Sequence, residues 1–264
     1  MPEPGSGMRN ALIGVAGFAV FVYLVLCTAL YFYQRSLLYY PHPASADPRM
    51  KLPVDGAVLR VLVQPQAGNK ALLYFGGNGE DVSYNLPGLA QAFPDHALYL
   101  LHYRGFGGST GAPTEAALFA DAAALFDKAY ADHKEIVVVG RSLGSGVATW
   151  LASRRPVARL VLVTPYNSIQ ELAAGQYPWV PVRWLLHDKY ESWRYAPQVT
   201  APTLLIAAER DDLVPRASTA ALMPRFRAGL ASLRVLPGTD HNSIATHPAY
   251  YGALRGSPQP ASTP

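Results

Sequence analysis

The sequence predicts an α/β fold with a mainly parallel central sheet flanked by helices. Short apolar runs alternate with longer amphipathic segments along most of the 264 residues. Several of the short runs consist almost entirely of Val, Leu and Ile, as expected for strands buried on both faces of a parallel sheet. Half of the residues are hydrophobic, which is enough for one sizeable core in a chain of this length.

Seven apolar runs predict strands, at residues 57–63, 71–75, 97–102, 136–139, 160–164, 203–208 and 233–236. The amphipathic segments between them predict helices, of which four stand out, at residues 114–131, 143–154, 217–228 and 243–254. In a sheet of this kind, functional side chains gather where the strands end at their carboxyl edge. Functional residues are therefore expected in the loops directly after the predicted strands.

Residues 11–33 carry no charge and predict a transmembrane helix after a short tail at 1–10. A helix of this length extends for about 34 Å, enough to cross a hydrocarbon core of roughly 30 Å. A cleaved signal peptide is the alternative, but its apolar region is usually shorter, and no small-residue cleavage site comes after it here. Counting Lys and Arg favours a cytoplasmic main domain. Uncleaved signal anchors with short tails commonly export the domain attached to them, and we lean slightly to that side.

Composition bounds the remaining organisation. Residues 34–56 contain several prolines and predict a connector, residues 57–255 the folded domain, and residues 256–264 a disordered tail. The formal charge of +4 is scattered, so we expect no nucleic-acid partner. Cys27 is the single cysteine, which excludes an intrachain disulfide and a cysteine-rich metal site. Neither a H-E-x-x-H pattern nor G-x-G-x-x-G after a strand is present, so we expect no metal and no dinucleotide.

Two G-x-S-x-G patterns compete for the role of a nucleophile, one centred on Ser142 and the other on Ser109. Ser142 comes directly after the predicted strand 136–139 and directly before a predicted helix. This strand–turn–helix context is what a nucleophile elbow requires. Ser109 lies several residues beyond its strand, in a loop before a helix that Thr114 could cap. The sequence therefore favours Ser142.

A serine hydroxyl needs a base, usually an imidazole that is oriented by a carboxylate. His241 comes after the last predicted strand and precedes the last helix, while His102 and His247 are weaker alternatives. The acid is expected after the strand at 203–208, where Asp211 and Asp212 both stand. Because adjacent side chains point in different directions, only one of them can face the imidazole.

The glycine-rich turn "YFGGNGED" comes at the end of another predicted strand. Glycines let a backbone approach a ligand closely, so the turn can aim an N–H group at a developing negative charge. We expect the backbone N–H groups of Asn78 and Leu143 to form an oxyanion hole. A plain tight turn is the alternative.

These motifs together resemble a known superfamily. "GRSLGSG", "ERDDLVP" and "TDHNS" resemble the α/β-hydrolases. "YQRSLLYYP", "FGGNGED", "YRGFGGSTG" and "YPWVPVRWLLHDKYES" are similar to the membrane-anchored serine-hydrolase branch, which includes protein depalmitoylases. The resemblance covers residues 35–254 and implies an α/β-hydrolase fold with a short, aromatic-rich cap segment at 165–197.

The resemblance also bears on single residues. In that branch the acid commonly stands in Asp-x-x-Val-Pro, which assigns the acid to Asp211, since Val214 and Pro215 complete the pattern. The oxyanion turn commonly reads His-Gly-Asn-Ala, whereas this chain has Gly76-Gly77-Asn78-Gly79. The usual histidine is therefore missing.

Gly77, Tyr166 and Trp179 are expected to contact substrate. Tyr166 and Trp179 lie in the cap, which we expect to form an apolar wall for an acyl group. The alternative is that the cap only covers the edge of the sheet.

We therefore expect a membrane-anchored serine hydrolase that cleaves carboxylic esters or thioesters through Ser142, His241 and Asp211, without a cofactor. Its substrates would be small acyl esters or lipid-like molecules. A serine peptidase or amidase could use the same three residues. A non-enzymatic alternative is a membrane-tethered binding module on an inactive hydrolase scaffold.

Overall fold

The computed structural model describes residues 6–43 and 50–256. The predicted N-terminal tail, connector and C-terminal tail lie partly outside these residues. In the described part, eight strands form one sheet, and their order across it is β1-β2-β4-β3-β5-β6-β7-β8. The strands are β1 (Met50–Val54), β2 (Ala57–Gln64), β3 (Lys70–Phe75), β4 (Ala97–His102), β5 (Glu135–Arg141), β6 (Arg159–Val163), β7 (Thr203–Ala208) and β8 (Ala231–Leu236).

The first two strands run antiparallel to their neighbours, and the pairings from β4 to β8 are parallel. The α-helices are α1 (Ser6–Leu38), α2 (Leu86–Ala92), α3 (Glu115–Asp132), α4 (Leu143–Ala152), α5 (Ile169–Gln176), α6 (Val182–Leu185), α7 (Ser192–Tyr195), α8 (Arg216–Leu222) and α9 (Tyr250–Arg255). Four short 3-10 helices occupy Val82–Asn85, Ala196–Gln198, Met223–Arg225 and Ser243–Thr246. The predicted α/β class and the mainly parallel sheet are confirmed.

Alternate residues along each central strand feed two separate cores. Leu73 and Val138 pack with α3 and α4 on one face of the sheet. Leu72 and Val137 pack with α2 and α9 on the other face. Burial on both faces explains why these strands are almost continuously apolar.

The sheet begins earlier than the sequence predicted. Strand β1 lies inside the range 34–56 that was predicted as a connector, and it pairs with β2 through a two-residue hairpin. Asp55-Gly56 forms this turn, and Gly56 has a φ of 69°. An Asp-Gly pair between apolar residues is a strong hairpin signal, and here it outweighs the prolines that suggested a connector.

Two predicted helices are shorter than expected, and proline explains both. The helix predicted at 243–254 is a 3-10 turn at Ser243–Thr246 with α9 after it, because Pro248 interrupts the pattern. Helix α8 likewise gives way to a 3-10 turn that contains Pro224. Thr114 caps α3 as predicted, since its side chain accepts a hydrogen bond from the Ala117 amide at 3.1 Å.

Helix α1 extends beyond the predicted 11–33 at both ends and has 33 residues. The span Gly7–Leu38 is long and apolar enough to cross a membrane. Most of its large apolar side chains are exposed, for example Phe18 and Phe21. An unpartnered apolar surface of this extent is typical of a membrane-spanning segment, although a signal sequence has the same composition.

Candidate active site

Ser142 is the single residue between the end of β5 and the start of α4, and its backbone has a conformation that few residues adopt. Its φ is 49° and its ψ is −117°. A Cβ on Gly140 would collide with the backbone of Gly144, and a Cβ on Gly144 would collide with the backbone oxygen of Phe75. Both glycines are therefore required for the sharp turn, which presents the serine hydroxyl at the carboxyl edge of the sheet.

The structure brings Ser142, His241 and Asp211 into one hydrogen-bonded chain. The Nδ1 atom of His241 lies 2.8 Å from Oδ2 of Asp211, and its Nε2 atom lies 2.9 Å from Oγ of Ser142. A carboxylate can only accept, so Nδ1 donates to Asp211 and Nε2 is left to accept from the serine. The side chains of His241 and Asp211 are 10% and 3% exposed, so water competes little for these bonds. The arrangement can move a proton from the hydroxyl to the imidazole.

Local hydrogen bonds separate the two neighbouring acids. Oδ1 of Asp211 accepts from the amides of Leu213 and Val214 at 3.0 and 2.7 Å, which orients its other oxygen towards His241. Asp212 is exposed and lies outside this chain of bonds. Asp240 also points away, because its Oδ1 accepts from the amides of Asn242 and Ser243 in the next turn.

The alternative residues lie elsewhere. The hydroxyl of Ser109 donates to the His102 carbonyl and accepts from the Arg60 amide, both at 2.8 Å. Nδ1 of His247 accepts from the amide of Ala249. His102 is buried next to His42 and Asp81. None of these side chains joins the chain at Ser142 among the described residues.

The glycine-rich turn after β3 lies against the elbow, as Gly144 donates a backbone hydrogen bond to the Gly76 carbonyl at 3.1 Å. Leu143 is the first residue of α4, so its amide has no acceptor within the helix. In the described part of the chain, no hydrogen bond engages the amide of Asn78 either. The Asn78 side chain holds the turn to the end of α1, through bonds with the Leu38 carbonyl and the Tyr40 amide.

Glu80 and Arg141 form a brace under the site that the sequence motifs did not predict. Oε2 of Glu80 accepts from the Gly77 amide at 2.6 Å and from Nη1 of Arg141 at 2.9 Å. Nη2 of Arg141 donates to the His241 carbonyl at 3.1 Å. Burial alone would lower the pKa of Arg141, but the Glu80 carboxylate outweighs it and the pKa is raised. The guanidinium therefore stays charged and ties the turn, the elbow and the histidine loop together.

A charged residue in a turn is usually solvated, so the sequence pattern offered little reason to expect this brace. The one feature of the sequence that could have indicated the brace is the position of Arg141, a charged residue at the end of a strand that is otherwise buried. The hydroxyl of Tyr74 and the side-chain amide of Asn85 complete the shell, both at 2.6 Å from Oε1 of Glu80.

The three residues predicted to contact substrate lie in different surroundings. The Cβ position of Gly77 is 3.5 Å from Cβ of Ser142, so this glycine does border the nucleophile. Tyr166 is fully buried, and its hydroxyl donates to the Leu143 carbonyl at 3.0 Å. Its side chain therefore packs beneath the turn at Ser142 instead of presenting a surface that substrate could contact. Trp179 is half exposed in the cap, and its carbonyl accepts from the Tyr23 hydroxyl of α1.

The cap packs against the end of α1. Nε of Arg35 lies 3.0 Å from Oδ2 of Asp188, and Gln34 bonds to the backbone of Leu185 and His187. An apolar cavity lies between the two elements. Its lining residues include Leu30, Leu37, Leu38, Ile169, Ala173 and Tyr177. Leu38, one of its lining residues, accepts a hydrogen bond through its carbonyl from the Asn78 side chain in the turn beside Ser142.

Comparisons with known proteins agree with the fold. The family described as alpha/beta hydrolase fold matches residues 70–189. An uncharacterized protein of Mycobacterium tuberculosis is 36% identical over 89% of each chain. Lysophosphatidylserine lipase ABHD12 of Danio rerio is 29% identical over 57% of this chain, a match that spans 45% of that protein. A Pyrococcus furiosus esterase superimposes with a TM-score of 0.67 at 17% identity, covering 83% of this chain and 96% of its own.

The chain belongs to the α/β-hydrolase superfamily, and a protein of Caenorhabditis elegans named as alpha/beta hydrolase domain-containing is among its relatives, at 32% identity over 58% of this chain and 46% of that protein. The predicted family is thereby confirmed. The fold, together with a relative that is named as a lipase, supports hydrolase activity.

Proposed function

We propose that this protein is a serine hydrolase that cleaves carboxylic ester or thioester bonds of acyl substrates at a membrane surface. The hydrogen-bonded chain from Ser142 through His241 to Asp211 carries the proposal. Three residue types with complementary roles meet at strand ends that are far apart in the sequence, which a structural serine does not require.

The geometry supports a two-step reaction. Ser142 Oγ attacks the carbonyl carbon while His241 Nε2 takes its proton, and the amides of Asn78 and Leu143 donate to the oxyanion. The imidazolium then protonates the leaving alcohol or thiol, and an acyl-enzyme remains. Water attacks this ester, again giving its proton to His241, and the acid product leaves as Ser142 recovers its hydrogen. Asp211 holds the imidazole in the tautomer that both steps need.

The cavity between α1 and the cap supports a long acyl chain as part of the substrate. It is lined almost entirely by apolar side chains, and its lining residue Leu38 is hydrogen-bonded to Asn78 of the turn beside Ser142. Apolar burial of each methylene of a chain contributes about 0.8 kcal/mol. Two of the relatives are named as a lipase and an esterase, which is consistent with such substrates.

Membrane anchoring by α1 belongs to the same proposal. Trp179 and Trp184 of the cap are 50% and 86% exposed, and the Trp179 carbonyl accepts a hydrogen bond from Tyr23 of α1. Exposed tryptophans beside an apolar helix are typical of the membrane–water interface. The catalytic domain then rests on the bilayer with its cavity facing the lipid, and we favour the exported side of the membrane.

A fluorophosphonate probe tests the nucleophile in the full chain, solubilised in detergent. Labelling that is lost in Ser142→Ala and kept in Ser109→Ala supports an activated serine at the elbow. Folded wild-type protein that never labels overturns the proposal and favours the binding module. A panel of matched esters, thioesters and amides separates an esterase from a peptidase or amidase.

A second experiment tests the acyl site. Ala173→Phe fills the cavity from α5, whereas Ala174→Phe adds the same volume at the next residue, which does not line it. We expect Ala173→Phe to lower kcat/KM for a dodecanoyl ester at least about 10-fold, since several methylenes lose their burial, and to spare a butyryl ester. Equal effects of both variants on both esters would show that the chain binds elsewhere.

A further inference from the structure

His42, Asp81 and His102 form a second cluster of functional groups, apart from the Ser142 site. His42 lies just beyond the end of α1, Asp81 lies just beyond the turn after β3, and His102 is the last residue of β4. Each offers one nitrogen or carboxylate oxygen, and the three atoms lie within 4.8 Å of one another. The mechanism proposed for Ser142 uses none of them.

The His42 ring is held in one tautomer. Its Nδ1 atom lies 2.8 Å from the Pro43 carbonyl oxygen, which can only accept, so Nδ1 carries the proton. In the neutral ring, Nε2 then presents its lone pair. This atom is buried and has no hydrogen-bond partner among the described residues. A histidine that donates one ring N–H to a carbonyl and offers the other nitrogen is typical of a metal ligand.

The other two side chains are also fixed in place. His102 is only 2% exposed, and its buried Nδ1 has no hydrogen-bond partner in the parts of the chain that the structure describes. Gly107 passes so close to this ring that a Cβ there would collide with it. Oδ1 of Asp81 accepts from the amide and hydroxyl of Ser83 at 3.0 and 2.7 Å, which orients the carboxylate.

We propose that His42, Asp81 and His102 bind a divalent transition-metal ion, with Zn²⁺ as the best match. Two imidazoles and one carboxylate are a common zinc ligand set, and water can complete a tetrahedron. Ligand atoms bonded at about 2.0–2.1 Å to one ion lie about 3.3–3.4 Å apart in a tetrahedron, so the three atoms, now within 4.8 Å of one another, need to approach by about 1.5 Å at most. Ring packing alone is the competing explanation for the cluster, since the centroids of His42 and His102 are 5.7 Å apart. It leaves two buried nitrogens without partners within residues 6–43 and 50–256, which is unfavourable.

The ion would fasten the segment leaving α1 to the ends of β3 and β4. Asp81 adjoins Glu80 of the brace, so the metal would hold the connector against the glycine-rich turn. Its role would be to stabilise this junction, because the acyl chemistry at Ser142 has its own base and oxyanion donors. Binding and unfolding are therefore the appropriate measurements.

The test uses the full chain in detergent, freed of metal with a chelator and titrated with ZnCl₂ by calorimetry. We expect one Zn²⁺ per chain and a higher unfolding temperature in its presence, because an ion that binds only the folded state stabilises it. His42→Ala and His102→Ala should each weaken binding at least about 100-fold. Where His102→Ala does not fold, His42→Ala in the less buried segment gives the result.

His96→Ala is the matched control. His96 pairs with the exposed Asp95 outside the proposed cluster, so it offers a histidine–carboxylate pair where nonspecific zinc would bind. Loss of binding in His96→Ala with retention in His42→Ala would overturn the proposal, as would the absence of binding to the wild-type chain. Substitution with Co²⁺ adds a spectroscopic readout, since visible absorption should disappear in His42→Ala and persist in His96→Ala.

Discussion

Two loops of this chain share the pattern G-x-S-x-G, yet their serines do different things. Ser142 occupies a one-residue turn between β5 and α4 with a φ of 49°, and its hydroxyl faces His241. Ser109 lies in the loop between β4 and α3, where its hydroxyl bonds to the backbone of Arg60 and His102. The pattern is the same, so the difference comes from the distance to the preceding strand.

Each of the two loops also has a buried ion pair beside it. Arg141 of the elbow pairs with Glu80, and Arg104 beside the second loop makes two hydrogen bonds to Asp121, which is fully buried. Of these two pairs, the first contacts residues of the site and the second does not. The two loops therefore share a sequence pattern and each lies next to an ion pair. The catalytic role that we propose for one of them depends instead on the strand end from which the loop starts.

The largest expected effect separates the two serines directly. Ser142→Ala should lower turnover of an ester substrate on the order of 10⁶-fold, because attack by a side-chain nucleophile is lost. Ser109→Ala should keep the turnover of the folded protein. Steady-state kinetics on both variants measures this, and equal losses would mean that the two serines do not differ in role.

Removing one partner of each buried ion pair should destabilise the fold by a similar amount. Glu80→Gln and Asp121→Asn each leave an arginine without its counter-charge, which we expect to lower the free energy of unfolding by about 3–5 kcal/mol. Chemical denaturation measures this loss.

Turnover then distinguishes the pairs. Glu80 also holds Gly77, so Glu80→Gln should reduce turnover about 10-fold to 100-fold through a displaced turn. Asp121→Asn should leave turnover of the folded fraction unchanged. A reduction of the same size in Asp121→Asn would mean that Glu80 acts only through stability.

The glycines give the next contrast. Gly144→Ala would place a methyl group against the backbone oxygens of Phe75 and Gly76, which form the start of the glycine-rich turn. We expect turnover to fall about 10²–10³-fold, as for loss of one oxyanion donor. Gly111→Ala forces a side chain into a φ of 83° and should cost roughly 1–2 kcal/mol of stability without affecting chemistry. Steady-state kinetics and thermal unfolding of both folded variants test this contrast, and an equal loss of turnover in the two variants would contradict it.

The smallest effect concerns stability at the two serines. Ser109→Ala leaves a buried amide and a buried carbonyl unpaired, so we expect a loss of about 1–2 kcal/mol in the free energy of unfolding. Ser142→Ala should change it by less than about 0.5 kcal/mol, because Ser142 is half-buried and the change removes the hydrogen bond of its hydroxyl to His241 without leaving a backbone group unpaired. Urea unfolding of the two variants measures this difference. The variant with the larger expected loss of stability, Ser109→Ala, is the one with the smaller expected loss of turnover.

Much of the fold could be predicted from the sequence because buried parallel strands leave an apolar signature of their own. Strands β4 and β7 were predicted with their observed bounds. Strand β1 was missed because it is a half-exposed edge strand with a proline, which weakens the apolar pattern. The breaks before α9 and after α8 are due to prolines, whose effect on the backbone outweighs helical periodicity.

The amino-acid sequence was sufficient for the fold class, the apolar helix and the short set of polar residues that stand at strand ends. It ranked Ser142 over Ser109, because a strand–turn–helix context is a local property. Which atoms meet was settled by tertiary packing. The His241–Asp211 contact, the Glu80–Arg141 brace, the buried position of Tyr166 and the cluster of His42 with His102 depend on packing between distant segments. Local propensity carries no information about such distances, so these features appear only when the sheet brings its strand ends together.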